Sequence, residues 1–296
     1  MESSRTLPET ARAKWAAGAR PKTLPAAAVP VLVGTAVAGG HINPWRAVAA
    51  AVVALALQVG VNYANDYSDG VRGTDGPTRE GPPRLVGDGL AAPASVKRAA
   101  FVSFAVAALA GLALAAAVGP ELVAVGVASI AAAWFYTGGP RPYGYAGLGE
   151  LFVFVFFGLV ATVGSAYVHT EQVTALAVAA ALPVGAVTTA LLVVNNLRDR
   201  PGDAQVGKRT LAVRIGDGPT RALYLTLLLV AAVGIVIVAL DRPWALLGLI
   251  GLATIGPAAL VVGRGAQGRP LIPVLEATGR SLLLMGVLMA AGIALS

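Results

Sequence analysis

Of the chain's 296 residues, 56% are hydrophobic and 12% charged, far from the roughly one-quarter charged composition of soluble domains, which excludes a soluble enzyme and a disordered chain. The absence of cysteine and a histidine count of two (His41 and His169) exclude disulfide frameworks, zinc–thiolate and iron–sulfur sites, a cysteine nucleophile and histidine-rich metal centres. The net charge of +7, in a chain this apolar, points to cytoplasmic loops and contact with anionic lipid and not to nucleic acid.

In chain order, residues 1–23 are polar and basic, with no apolar core ahead of a small-residue cleavage site. They predict a cytoplasmic tail and no signal peptide. From residue 24 to 296, apolar runs of spanning length predict an all-α, polytopic bundle of nine transmembrane helices, near 24–40, 46–64, 96–118, 121–137, 148–168, 174–196, 220–240, 243–263 and 272–295. Lysine and arginine test this count. Nineteen fall in the tail and in alternate loops, against Arg46 and Arg242 on the other side, with Arg280 inside the last span. That split predicts a cytoplasmic N-terminus and an external C-terminus. Within the last span, Glu276 lies four residues before Arg280 and is expected to pair with it.

At the entrance to the first span stand Arg20 and Lys22, between Pro21 and Pro25. Membrane-surface snorkelling explains such cations; a carboxylate-bearing substrate arriving there is the alternative, and spacing does not separate the two. The loops after spans 2 and 6 are long, and they hold eight of the fifteen acids: Asp66, Asp69, Asp75, Glu80, Asp88, Asp199, Asp203 and Asp217. If span 2 continues as a helix, Asn62, Asp66 and Asp69 share one face at i, i+4 and i+7. At the end of span 6, Asn196, Asp199 and Asp203 fall at i, i+3 and i+7. Pro201 is expected to break that helix and leave Asp203 on a turn just beyond it.

Two carboxylate ladders without histidine or cysteine form a hard-oxygen ligand set suited to Mg²⁺, which favours one or two carboxylates plus substrate phosphates. Arg72, Arg79, Arg84, Arg198, Lys208 and Arg209 are placed to neutralise a diphosphate held by that metal. A solvated loop face with Asn and Asp caps is the bland reading of any one of these acids, but it does not account for the repetition. Between spans 4 and 5, Tyr136, Tyr143 and Tyr145 lie in a Gly- and Pro-rich loop, where they supply either an interfacial aromatic belt or π faces for an aromatic substrate. Glu150 opens an apolar span and calls for a partner or a role.

These residues resemble the UbiA-type intramembrane prenyltransferases over nearly the whole chain. The match is carried by Arg20 to Pro25; Asn62, Asn65, Asp66 and Asp69 with Asp75; Gly81 to Arg84; Tyr136 to Pro140 with Gly147 to Glu150; and Asn195 to Asp199 through Gly207 to Thr210. The pattern is most similar to the menaquinone branch, since the last acid usual in the first motif of the ubiquinone branch is missing and Asp69 or Asp75 must substitute. The resemblance implies nine helices and Mg²⁺ held by Asp66, Asp69, Asp75, Asp199 and Asp203. It implies a polyprenyl diphosphate gripped with help from Asn62, Arg72, Arg84, Asn196 and Lys208. The implied acceptor, 1,4-dihydroxy-2-naphthoate, would sit among Arg20, Lys22, Tyr136, Tyr143 and Glu150. Another aromatic or phosphosugar acceptor is the alternative within the class. A transporter is the alternative outside it, but the acids gather at one face and the spans lack acids near mid-membrane.

Overall fold

The computed structural model describes Pro8 and residues 10–74 and 83–296, and among these every regular element is helical. A short helix, α1 (Ala11–Ala19), is capped by Thr10, whose hydroxyl accepts the Ala13 N–H at 3.2 Å. Then follow α2 (Pro25–Val37), α3 (Pro44–Arg72), α4 (Pro93–Val118), α5 (Glu121–Phe135), α6 (Gly149–Thr170) and α7 (Ala175–Gln205). The chain ends with α8 (Leu211–Ile215), α9 (Asp217–Ala239), α10 (Leu247–Ala253), α11 (Gly256–Gly263) and α12 (Leu271–Leu295). Proline opens α2, α3 and α4, where its missing N–H costs no helical hydrogen bond.

Six helices are long and apolar enough to cross a bilayer: α3, α4, α6, α7, α9 and α12. A seventh span is formed if Pro243–Ala253 and Gly256–Gly263, bent by 51°, count as one. All nine expected segments fall on apolar helix, but α2 and α5 have only 13 and 15 residues. At about 1.5 Å per residue each falls short of a hydrocarbon core about 30 Å thick. Large apolar side chains such as Val102, Leu109, Val127 and Leu229 face outward, as lipid-facing surfaces require.

The core forms where α7 packs against α9 and α6, and where α12 packs against α2 and α10. Val184, Val187, Ile235, Leu282, Met285 and Met289 are fully enclosed there, with the Tyr224 hydroxyl 2.9 Å from that of Thr278. A second cluster of Tyr63, Leu85, Val96 and Phe104 joins α3 to α4. The α6–α7 contact runs through glycines: a Cβ on Gly158 would lie 2.6 Å from the Gly185 Cα. Only hydrogen fits at that crossing, a close approach of the small-residue kind used between membrane helices. Beside it α6 loosens into π-helix over Phe154–Val160, a local widening that often accompanies a functional site.

Two expectations change. Pro201 does not break α7, which runs on to Gln205 and keeps Asp203 helical; one lost rung near the end of a helix whose middle is deeply packed is outweighed by that packing. Glu276 pairs with Lys22 at 2.6 Å and not with Arg280, because the chain entering α2 crosses α12 at that turn.

Candidate active site

A cavity of about 760 Å³ lies between α2, α3, α5, α6 and α7, polar at one end and apolar along its depth. Its apolar wall includes Ala27, Leu57, Val61, Phe156, Phe157 and Leu191. The polar end is built from the C-terminal turns of α3 and α7, and those turns are copies. On α3, Asn62, Asn65 and Asp69 line the cavity; on α7, Asn196, Asp199 and Asp203 do. Both sets have the spacing i, i+3, i+7, one face of a helix.

The two helices also end alike. Gly73 and Gly207 take the left-handed conformation, at φ 72° and 74°, which only glycine adopts cheaply. The Thr74 N–H then reaches the Asp69 carbonyl at 3.0 Å, and the Lys208 N–H reaches that of Asp203 at 2.8 Å. These reverse turns are Schellman caps. The second one folds Lys208 back over its own helix, so that its Nζ lies 3.8 Å from Asp203 Oδ1 and 3.7 Å from Asp69 Oδ2.

Tyr145 closes this arrangement. Its hydroxyl donates to the other Asp69 oxygen at 2.8 Å. Its ring carries the Lys208 ammonium 5.2 Å and the Arg72 guanidinium 5.3 Å from its centre, within cation–π range. Burial and then the Asp69 charge push the Tyr145 phenol up to about 12, so it stays a donor at neutral pH. Burial alone would lower the pKa of Lys208, but Asp69 and Asp203 outweigh it and hold that pKa above the usual lysine range. On α7, the Arg198 fork grips both Asp199 oxygens, at 2.7 and 2.6 Å, and reaches Asn195 Oδ1 at 2.9 Å.

Of the expected residues, Arg20, Lys22, Asn62, Asp69, Arg84, Tyr136, Tyr143, Asn196, Asp199, Asp203 and Lys208 line the cavity. Tyr143 stacks on Phe152 at 4.0 Å and meets Tyr136 edge-on, giving an aromatic wall. Others stand elsewhere. Asp66, one residue round the helix from Asn65, does not line the cavity; it is fully buried and accepts the Leu85 and Val86 N–H groups at 2.9 Å each. It thereby pins the returning segment that carries Arg84. Arg72 turns away and donates to the Thr137 and Gly139 carbonyls. Glu150 lies behind the cavity and accepts from Asn196 Nδ2 at 2.9 Å. Asn62 donates to the Ala19 carbonyl and the Thr23 hydroxyl, which holds the elbow bearing Arg20. Asp75 and Arg79 lie outside the described residues.

Asn65, whose Oδ1 accepts from Thr137, and Asn195 also line the cavity; both belong to the matching motifs but carried no assigned role, and the i, i+3, i+7 repeat was the signal for Asn65. Among the described residues no three acids or histidines cluster tightly enough to hold a metal alone. The carboxylate and amide oxygens of Asn65, Asp69, Asp199 and Asp203 nevertheless fit a hard cation that draws its remaining ligands from a substrate phosphate.

A helical membrane bundle with an acid-lined mouth above an apolar cavity defines an integral-membrane protein built for a substrate with a charged head and a hydrocarbon tail. Residues 27–269 match the family model for the UbiA prenyltransferase family, and the chain belongs to that family. It is 51% identical to the 1,4-dihydroxy-2-naphthoate octaprenyltransferase of Mycobacterium tuberculosis, covering 95% of this chain and 97% of that one. Against the enzyme of the same name from Escherichia coli it is 38% identical, over 95% of each chain. In fold it is similar to a UbiA homolog from Archaeoglobus fulgidus solved bound to DMAPP and Mg²⁺, with a TM-score of 0.65 at 14% identity over 96% of this chain and 100% of that one.

Proposed function

We propose that the chain transfers a polyprenyl group from a polyprenyl diphosphate to 1,4-dihydroxy-2-naphthoate with loss of CO₂, a step of menaquinone biosynthesis. The observation that carries this reading is the paired acid faces of α3 and α7 meeting at the mouth of one apolar cavity. Near-full-length identity to named naphthoate prenyltransferases supports the choice of acceptor.

Asn65, Asp69, Asp199 and Asp203 are the residues that would hold Mg²⁺, and the metal would supply charge neutralisation of the leaving group. Lys208 and Arg84 donate to diphosphate oxygens, and Arg198 orients Asp199. As the allylic carbon–oxygen bond breaks, its electron pair leaves with the diphosphate, and the charge developing there meets donors already in place. The naphthoate ring, held against Tyr136 and Tyr143 with its carboxylate toward Arg20, supplies the electrons for the new carbon–carbon bond. Its carboxylate departs as CO₂, which gives demethylmenaquinone in its reduced, quinol form. The apolar wall excludes water from the allylic cation and shelters the prenyl tail.

The positive charge pattern supports a nine-span topology with the acid faces cytoplasmic, in which the short helices α2 and α5 count as spans by tilting neighbours or thinning the bilayer. The test of function is incubation of the purified protein with radiolabelled prenyl diphosphate and a panel of acceptors. Label should pass to 1,4-dihydroxy-2-naphthoate, and transfer only to 4-hydroxybenzoate or to a glycerol or sugar phosphate would refute the acceptor.

A further inference from the structure

The Lys208 ammonium stands between carboxylates from the two halves of the site, 3.7 Å from Asp69 and 3.8 Å from Asp203. Its backbone is fixed by the Schellman cap of α7, its charge rests over the Tyr145 ring, and its side chain is only 19% exposed. Without it, two carboxylates would face one another in a partly buried mouth, which like-charge repulsion disfavours. The ammonium thus occupies the electrostatic position that a divalent cation would take between α3 and α7.

We propose that Lys208 is a built-in counter-ion that makes divalent-cation binding depend on the donor diphosphate. This rests on the Mg²⁺-diphosphate reading above and adds a coupling to it. At 3.7–3.8 Å both contacts are longer than the roughly 2.7–2.9 Å of a full charge-assisted hydrogen bond, so the four-carbon side chain is held without being locked. A metal arriving alone must displace it and leave an ammonium poorly paired. A diphosphate arriving with the metal gives the ammonium new anionic oxygens and frees Asp69 and Asp203 as ligands. Metal and donor then each raise the other's affinity by the same factor, as linkage requires.

The test measures Mn²⁺ binding, as a spectroscopic stand-in for Mg²⁺, to the full-length protein in detergent, with and without geranyl thiodiphosphate, an analogue that does not ionise. Wild type should bind Mn²⁺ weakly alone and at least about tenfold more tightly with the analogue, a coupling within the usual range. Lys208→Met and Lys208→Gln should each bind Mn²⁺ alone at least about fivefold more tightly than wild type, and show a smaller gain from the analogue. Lys208→Arg should keep the wild-type pattern. If the neutral variants melt like wild type yet bind Mn²⁺ alone no more tightly, Lys208 is only a diphosphate contact and the proposal fails. Should the neutral variants not fold, equal Mn²⁺ affinity of wild type with and without the analogue overturns it. If no Mn²⁺ binds even with the analogue, the metal reading itself falls, and the coupling with it.

Discussion

Asp69 and Asp203 occupy the same position in two copies of one helix ending: each lends its backbone carbonyl to the residue five further on, and each carboxylate faces Lys208. The equivalence extends back along both helices, pairing Asn65 with Asp199 and Asn62 with Asn196. The copies differ in charge, since the middle position is an amide on α3 and a carboxylate on α7. The α7 half therefore carries one more carboxylate, which the Arg198 fork holds in place. Asp199→Ala should reduce turnover by at least the ~10²–10³ typical of losing one transition-state electrostatic contact, together with a fall in melting temperature, because the buried Arg198 guanidinium loses its carboxylate partner. Wild-type turnover in the folded variant would remove Asp199 from the site.

Asp66 behaves differently because its carboxylate is spent on two backbone N–H groups. Asp66→Ala leaves the buried Leu85 N–H and the half-buried Val86 N–H unpaired, at a cost of about 2–6 kcal/mol. A clear fall in melting temperature is expected, together with a raised KM for the donor as the segment bearing Arg84 loosens. A variant that melts like wild type but is inactive would place Asp66 among the metal ligands instead.

The cations should sort by substrate. Arg20→Ala is expected to raise KM for the naphthoate more than KM for the prenyl diphosphate, because only the acceptor's carboxylate loses a charge-assisted partner. Arg84→Ala should show the reverse bias. Arg72→Ala, which releases the Thr137–Gly139 loop without touching the cavity, should affect both substrates together. Steady-state kinetics with each substrate varied in turn separates the three patterns.

At the α6–α7 crossing, Gly185→Val places methyl groups against the Gly158 backbone and the Phe154 ring. Such overpacking costs about 1–3 kcal/mol, and it shifts the helix that carries Asn195 to Asp203. Loss of both melting temperature and activity is expected, read by thermal unfolding in detergent and by prenyl transfer.

The absence of cysteine makes topology directly testable. Val206 and Val173 are both exposed, beyond opposite ends of α7. Val206→Cys should react with a membrane-impermeant thiol reagent only from the cytoplasmic side, and Val173→Cys only from outside. Labelling of both from one side would contradict the arrangement read from the charges.

The helices were legible because their apolar runs are long and uninterrupted, and the acid clusters because acids are scarce elsewhere. What escaped the sequence was orientation within a turn. Neighbouring residues on a helix point about 100° apart, so assigning Asp66 or Asn65 to the cavity depends on how α3 is rotated, which the packing of Tyr63, Leu85 and Phe104 decides. Tyr145 reads alone as one of three interfacial tyrosines; its bond to Asp69 exists only because a loop folds across the end of α3. Glu276 had a plausible partner four residues away, but a residue more than two hundred positions earlier took it. Local spacing suggests such pairs, and tertiary packing chooses among them.

The most direct test of the central claim follows the acceptor's carboxylate. Purified protein is supplied with Mg²⁺, a polyprenyl diphosphate and 1,4-dihydroxy-2-naphthoate radiolabelled in its carboxyl carbon, and released CO₂ is counted against prenylated product. One CO₂ for each prenyl group transferred, abolished by omitting the donor or by chelating the metal, is the expected result. Prenylated product that keeps the label, or no transfer to the naphthoate at all, would contradict it.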